Sequence, residues 1–257
     1  MPEKSRDFPW LVARPVAHRG LHNARAGILE NTLPAAEAAL ARGFSIEVDL
    51  QLSADGEVVV FHDDTLERLT EATGPVVLHD AAALAALTMR GTDAHIPTLG
   101  DLLALVGGRV PLVLELKSDW RRDGGRRLVA AVAERLADYA GPAALMSFDP
   151  DIVENLRRSI PDRPHGIVAD RATDAADYPG QSTMTRFGLR HLMHAPRTCP
   201  DFVAYDVHAL PMPGPAILRR LFGRPLLTWT VRTPDEREHA RIFADQMIFE
   251  GFVPDPV

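Results

Sequence analysis

The sequence predicts an α/β fold, a closed (β/α)8 or TIM barrel with a small insertion after its second histidine motif. Short apolar runs with strand character alternate with helical segments along the chain. Eight such runs remain when residues 58–61 form only the return arm of a hairpin. The chain has 257 residues, close to the about 250 of such barrels.

The predicted elements follow one another with short connections. The strands are centred near residues 16, 48, 114, 145, 167, 204, 229 and 248. The helices lie at about 35–42, 98–107, 125–139, 151–159, 214–222 and 234–244, and residues 171–199 form a loop with one helix. A doubly wound open sheet is the alternative, although no glycine-rich dinucleotide fingerprint follows the first strand.

The first strand and helix have clear boundary signals. Residues 15–17 form a short apolar run that ends at His18. Asn31 or Thr32 can cap the following helix, and Pro34 fits the first turn, where its missing N–H costs nothing. A strand followed by a helix is the unit from which a parallel barrel is built.

Residues 45–62 are predicted to form a hairpin that gathers polar side chains. Glu47 and Asp49 alternate with apolar residues, so both carboxylates point the same way. A turn signal at residues 53–56 leads into an apolar return arm that ends at His62. Two carboxylates and an imidazole in one small volume suit a hard divalent cation beside a proton carrier. A half-exposed strand with a polar face is the alternative.

The run from residue 110 to residue 117 is almost entirely apolar, which is typical of a strand covered on both faces. Glu115 and Lys117 share one face near its end, where a buried charge must be paired or bound. A strand end that reaches solvent is the alternative. Because chemistry in such barrels gathers at the C-terminal strand ends, these charges, His18 and the hairpin carboxylates are predicted to meet at one mouth.

Composition excludes several other classes of protein. The formal charge is −7, with 35 acidic and 28 basic residues, and no basic cluster indicates a nucleic-acid partner. The single Cys199 excludes a disulfide framework and fits a reducing compartment. Residues 1–10 carry no secretory signal, and no run reaches the about 18 apolar residues of a membrane span. These features predict a cytoplasmic protein and leave its oligomeric state open.

Several short motifs occur in order along the chain. They are His18-Arg19-Gly20, Glu30-Asn31-Thr32, Glu47-x-Asp49, Asp55-Gly56, His62-Asp63, Leu66-x-Arg68-x-Thr70, Ile96-Pro97-Thr98-Leu99, Glu115-Leu116-Lys117, Ser147-Phe148 and Trp229-Thr230-Val231. With this ordered set, the chain from about residue 14 to its end resembles the glycerophosphodiester phosphodiesterase family. The resemblance implies one TIM-barrel domain over residues 1–257, with residues 63–97 as the family's insertion.

The resemblance also implies an activity, a cofactor and a set of site residues. The substrate would be a small glycerophosphodiester, such as a deacylated phospholipid, cleaved to sn-glycerol 3-phosphate and an alcohol. The implied residues are Glu47, Asp49 and Glu115 for a divalent cation (Mg²⁺ or Ca²⁺), His18 and His62 for general acid–base catalysis, Arg19 and Lys117 for phosphate, and Trp229 for the glycerol side of the pocket. Three oxygen donors suit such hard cations better than zinc.

Two positions depart from the family pattern. Arg232 follows the tryptophan motif where the family usually has Asn, and Phe249-Glu250 replaces the usual Thr-Asp of the last strand. Arg232 is expected either to contact an anionic alcohol moiety or to form a surface salt bridge. Asp206 and His208 are further candidates for the pocket lining. Two other functions stay open: a non-catalytic phosphate-ligand binder, and a related barrel phosphodiesterase for inositol or sphingolipid head groups.

Overall fold

Nine strands form a single sheet in the computed structural model, which describes residues 7–120 and 123–254. The strands are β1 (Val16–Ala17), β2 (Ser45–Leu52), β3 (Val58–Val60), β4 (Leu112–Leu116), β5 (Ala143–Ser147), β6 (His165–Ala169), β7 (Phe202–Asp206), β8 (Leu226–Val231) and β9 (Gln246–Phe249). β1 pairs in parallel with both β2 and β9, so the sheet closes on itself. Among the strands of the described residues, β3 pairs with β2 in antiparallel orientation and lies outside the barrel, which leaves eight parallel strands. The predicted (β/α)8 barrel is confirmed, and the open sheet is excluded.

Helices cover the outside of the barrel. They are α1 (Leu33–Ala41), α2 (Ala81–Ala86), α3 (Leu99–Val106), α4 (Arg126–Leu136), α5 (Pro150–Ser159), α6 (Thr183–Arg190), α7 (Ala195–Thr198), α8 (Pro213–Phe222) and α9 (Pro234–Phe243). Thr32 caps α1 through its hydroxyl, and Pro34 lies in the first turn. Residues 171–199 contain two helices where the sequence predicts one, because α7 is a single turn with little periodicity. Within the described ranges, no helix combines the length and apolar character needed to cross a bilayer.

The inside of the barrel is filled by alternate residues of the strands. This buried cluster consists of Leu11, Val16, Val113, Ala144, Met146, Val168, Phe202, Ala204, Leu227 and Ile248. A short 3₁₀ turn at Pro9–Leu11 packs Leu11 and the partly buried Trp10 against it. The apolar filling therefore occupies the lower barrel and leaves the C-terminal strand ends to polar side chains.

Residues 63–97 lie beside the hairpin and contain α2 with one 3₁₀ turn at Val76–Leu78. This segment has its own apolar core, which consists of Val59, Phe61, Leu66, Leu69, Val76, Leu84, Met89 and Ile96. Two of these residues belong to the return arm of the hairpin, directly before His62. The segment thus fixes the end of β3 from the side that faces away from the barrel.

A glycine in β6 allows a close contact inside the barrel and gives a test of the packing. A Cβ on Gly166 would overlap the ring of the fully buried Phe202. We therefore expect Gly166→Ala to lower the free energy of unfolding by about 1–3 kcal/mol, since overpacked cores lose stability in that range. Urea unfolding of the purified variant measures this loss.

Gly188→Ala is the matched control. A Cβ at Gly188 meets no atom within 4 Å, and the residue lies inside α6. We expect this change to leave stability unchanged or to raise it by up to about 1 kcal/mol, because Ala favours helix over Gly. An unaltered Gly166→Ala protein, or equal losses in both variants, would contradict the described packing.

Candidate active site

A cleft of about 600 Å³ opens at the C-terminal ends of the strands. The residues that were singled out from the sequence and line this cleft are His18, Arg19, Glu47, Asp49, His62, Glu115, Lys117, Asp206, His208, Trp229 and Arg232. Segments that are far apart in the sequence therefore meet at one mouth, as barrel closure requires.

Three buried carboxylates form the floor of the cleft. Glu47 and Asp49 lie on β2, and Glu115 on the neighbouring β4, where it is paired in register with Asp49. One oxygen from each lies within 4.8 Å of the others, and the residues are only 1%, 2% and 8% exposed. Like charges this close and this dry need a cation to remain ionised.

The protein itself neutralises this group only in part. Burial raises the pKa of Asp49, but Lys117, His62 and Arg19 outweigh it and hold that pKa well below its usual range. Burial, then Asp49 and Glu115, raise the pKa of Glu47 well above its usual range. Burial also leaves the pKa of Glu115 raised, against the opposing effect of Lys117. An oxygen-donor set with uncompensated negative charge fits a hard divalent cation.

Lys117 and Arg19 border the carboxylates from two sides. Lys117 Nζ lies 3.3 Å from Glu115 Oε1 and 3.7 Å from Asp49 Oδ1. Arg19 Nε lies 3.4 Å from Asp49 Oδ2, and its Nη1 donates to Glu30 Oε1 at 2.6 Å. Two permanent cations next to a candidate metal site form a surface that can bind an anion such as phosphate.

The turn that carries Arg19 depends on unusual backbone conformations. Arg19 and Gly20 have φ values of 55° and 78°, and a Cβ on Gly20 would lie 2.8 Å from the backbone of Ala35. In this turn, the backbone N–H of Arg19 donates to Glu47 Oε2 at 2.8 Å. The tight turn after His18 thus positions one of the carboxylates directly.

Asn31 holds a second carboxylate, a role that the sequence did not suggest. Its Nδ2 donates to Asp49 Oδ2 at 2.9 Å, and its Oδ1 accepts from the Asp49 backbone N–H at 3.2 Å. Asn31 is buried in the left-handed region at φ 56°, which Asn tolerates better than most residues. Of the two residues that could cap α1, Thr32 is the cap, which leaves Asn31 free for this contact.

His62 is held at the rim by a chain of ion pairs. Its Nδ1 donates to Asp63 Oδ1 at 2.8 Å, and Asp63 accepts from Arg68 Nε at 2.5 Å. Arg68 also donates to Glu30, the partner of Arg19. These residues occur in the sequence motifs, but their contacts could not be predicted, because they depend on how residues 63–97 pack against the rest of the mouth.

His18 is held in a similar way from the opposite side. Its Nδ1 donates to Glu250 Oε2 at 2.5 Å, and its Nε2 lies 3.9 Å from Glu47 Oε2. Burial lowers the pKa of His18, although Glu250 opposes that effect. Arg232 forms a salt bridge to Glu250 at 2.6 Å, so of its two expected contacts the structure contains the salt bridge. Both imidazoles therefore use Nδ1 for a carboxylate, which leaves Nε2 for the cleft.

Four aromatic side chains also line the mouth, three in the segments that follow β4, β5 and β6 and one in β8, next to Asp170, Asp177 and Asp206. The rings of Phe148 and Trp229 pack edge to face with centroids 5.5 Å apart. Tyr178 continues this wall, 6.5 Å from Phe148 and 5.2 Å from Trp120. Of the four rings, only Trp229 was assigned to the pocket from the sequence, and Phe148 was part of a motif without an assigned role. These rings can contact the carbon skeleton of a bound molecule.

The chain is similar to known proteins over nearly its whole length. A model of the glycerophosphoryl diester phosphodiesterase family matches residues 18–255. A glycerophosphodiester phosphodiesterase of Caldanaerobacter subterraneus is 37% identical over 111 residues, which span 40% of this chain and 44% of that protein. A putative glycerophosphodiester phosphodiesterase of Bacillus subtilis is 29% identical over 160 residues, 60% of this chain and 64% of that protein. The matched region is thus less than two thirds of either relative.

Solved structures share the fold. An Oleispira antarctica phosphodiesterase, in complex with its product sn-glycerol-3-phosphate, has a TM-score of 0.76 at 20% identity, with 93% of both chains covered. A putative glycerophosphoryl diester phosphodiesterase from Silicibacter pomeroyi has a TM-score of 0.74 at 27% identity, with 95% of this chain and 91% of that chain covered.

Removing the titrating carboxyl group of Glu47 should make the free energy of unfolding of the cation-free protein depend less on pH. The pKa of Glu47 is raised above its ordinary 4.5, so the folded state retains a proton that the unfolded state has lost. Stability therefore falls as pH rises above that value, by at most about 1.4 kcal/mol per pH unit. We expect Glu47→Gln to flatten this slope in urea unfolding with chelator at pH about 5–8.

Glu37→Gln is the control, because Glu37 is exposed on α1 and is not among the residues that line the cleft. This variant should keep the pH slope of the wild-type protein. Identical slopes in wild-type protein and Glu47→Gln would mean that Glu47 does not carry the raised pKa.

Proposed function

This chain belongs to the glycerophosphoryl diester phosphodiesterase family, and we propose that it hydrolyses glycerophosphodiesters to sn-glycerol 3-phosphate and an alcohol. One observation carries the proposal: a buried carboxylate triad, two cations and two carboxylate-backed histidines share one mouth. The sn-glycerol-3-phosphate held by the Oleispira phosphodiesterase supports the same product here. Deacylated phospholipids are the expected natural substrates.

Glu47, Asp49 and Glu115 would hold a divalent cation, Mg²⁺ or Ca²⁺. Their donor atoms are all oxygens, and the pKa of Glu47 is raised by burial and then by Asp49 and Glu115, whose negative charge a cation would balance. When bound, the cation would polarise the phosphoryl group and stabilise negative charge on its oxygens.

Arg19 and Lys117 would bind the phosphate oxygens beside this site. Both lie within 4 Å of Asp49 and so border the same corner of the cleft. The guanidinium can donate two parallel bonds to a phosphate, whereas the ammonium acts as a point charge. Their fixed positive charge favours the extra negative charge that develops during attack.

His18 and His62 would move the protons. Since each Nδ1 donates to a carboxylate, each Nε2 can accept a proton from the attacking hydroxyl or return one to the leaving alkoxide. Either water or the neighbouring glycerol hydroxyl can be the nucleophile, and the second route passes through a cyclic phosphate. Trp229, packed on Phe148, would contact the glycerol moiety.

Two alternative functions remain to be compared with the proposed one. A non-catalytic phosphate binder does not need two imidazoles that are each held by a carboxylate. A barrel phosphodiesterase for inositol or sphingolipid head groups would share the ion site, so a panel of diesters separates it from the proposed enzyme.

We further propose that residues 1–257 form one catalytic domain with residues 63–97 as its insertion. We also propose that the protein acts in the cytoplasm, which its single cysteine favours.

Turnover of glycerophosphocholine tests the proposed reaction. We expect release of glycerol 3-phosphate and choline, loss of activity in chelator, and recovery when Mg²⁺ or Ca²⁺ is added back, because the carboxylate triad needs the cation. Enzymatic detection of glycerol 3-phosphate measures each step. Full activity after the metal has been stripped would refute the ion's role, and preference for inositol or sphingolipid diesters would support the alternative.

Alanine substitution of each histidine tests the proton-transfer step. We expect His18→Ala and His62→Ala each to lower kcat by about 10²-fold or more, because general acid–base catalysis contributes that much. Cation binding, followed by thermal shift, should persist in both. His95→Ala is the control, since His95 is exposed in the insertion. A kcat equal to that of the wild-type protein in either His18→Ala or His62→Ala would exclude a role in proton transfer for that histidine.

A further inference from the structure

The two positions that depart from the family pattern, Arg232 and Glu250, contact each other at the mouth. Arg232 Nε donates to Glu250 Oε1 at 2.6 Å. The other oxygen of the same carboxylate, Oε2, accepts from His18 Nδ1 at 2.5 Å. His22 Nε2 lies 3.5 Å from that second oxygen. A single carboxylate therefore connects the exposed rim to the imidazole.

We propose that Glu250 is a positioning residue for His18 and that Arg232 acts through Glu250 rather than on the substrate. This inference rests on the proposed function of His18. Glu250 fixes the tautomer that carries its proton on Nδ1, so that Nε2 faces the carboxylate triad with its lone pair free. Arg232 fixes the carboxylate by occupying its outer oxygen.

The backbone supports this arrangement, because all three residues follow neighbouring strands. The backbone N–H of His18 donates to Phe249 at the end of β9 (2.9 Å), and that of Glu250 donates to Val231 at the end of β8 (3.1 Å). The strand ends thus fix where the three side chains start. The side chain of His18 is 13% exposed, that of Glu250 18% and that of Arg232 51%, so burial increases from the rim toward the imidazole.

The length of Glu250 explains why Arg232 is needed. A glutamate has one more rotatable bond than an aspartate, and a free carboxylate at a rim would turn toward water. The Arg232 guanidinium binds one oxygen of Glu250. The backbone N–H of Arg232 in turn donates to Glu236, in the first turn of α9, at 2.6 Å. The chain of contacts therefore runs from a capped helix through Arg232 and Glu250 to His18.

A double-mutant cycle separates this proposal from direct substrate binding by Arg232. With glycerophosphocholine, we expect Glu250→Gln to lower kcat with KM little changed, by about the 10–100-fold that is typical when a metal-ligating histidine loses its hydrogen-bond partner. Arg232→Asn should lower kcat by a smaller factor than Glu250→Gln. When Arg232→Asn is added to Glu250→Gln, it should cause no further decrease in kcat. An increase in KM for Arg232→Asn that persists in the double variant would overturn the proposal.

A matched pair of variants controls for loss of a surface salt bridge. Glu238 and Arg241 pair at 3.1 Å on α9, and their side chains are 64% and 74% exposed. Glu238→Gln and Arg241→Asn should leave kcat and KM unchanged. A similar loss of kcat in these variants would mean that removal of any nearby charge slows the enzyme, which would refute a specific role for Glu250.

The tautomer of His18 gives a readout that does not depend on turnover. Long-range ¹H–¹⁵N spectra, with the His18 signals assigned by their absence in His18→Gln, should show a proton on Nδ1 in the wild-type protein. Glu250→Gln should shift the ring toward the Nε2–H form. An Nε2–H ring in the wild type, or an unchanged ring in Glu250→Gln, would refute the positioning role. If the expected tautomers occur in a protein that does not cleave diesters, only the proposed function fails.

Discussion

The burial of three carboxylates close together at the base of the cleft is the constraint on which the rest of the mouth depends. Glu47, Asp49 and Glu115 lie on adjacent parallel strands, so the register between β2 and β4 alone brings them together. Nothing apolar can cover such a group without a large cost in free energy. The surrounding side chains are accordingly donors and cations: Asn31, Arg19 and Lys117 each approach one or more of the oxygens.

The carboxylate triad and the aromatic side chains occupy different parts of the mouth. The ends of β9, β1, β2 and β4 carry ionic side chains, whereas the ends of β5 and β8 carry Phe148 and Trp229. A diester whose phosphate lies beside the carboxylates has the rings of Phe148 and Trp229 in the same cleft for its organic part. This arrangement follows from barrel closure, because strands that are distant in the sequence become neighbours around a single rim.

Much of the fold could be predicted from the sequence, for reasons that particular elements make plain. β5, β8 and β9 have the bounds that the sequence predicts, because each is a short, mostly apolar run that the barrel buries. The carboxylates were also predictable, because alternation places Glu47 and Asp49 on one face.

The contacts that orient the site were not predictable in the same way. Glu250 and His18 are 232 residues apart in the sequence, and their contact depends on closure of the barrel and on side-chain length. Asn31 looked like a helix cap, and only the left-handed backbone of this residue directs its amide to Asp49. Titration of Mg²⁺ or Ca²⁺ into chelator-treated protein by calorimetry tests the central claim most directly. The account predicts about one bound ion per chain and its loss in Asp49→Asn; equal binding by both proteins would contradict it.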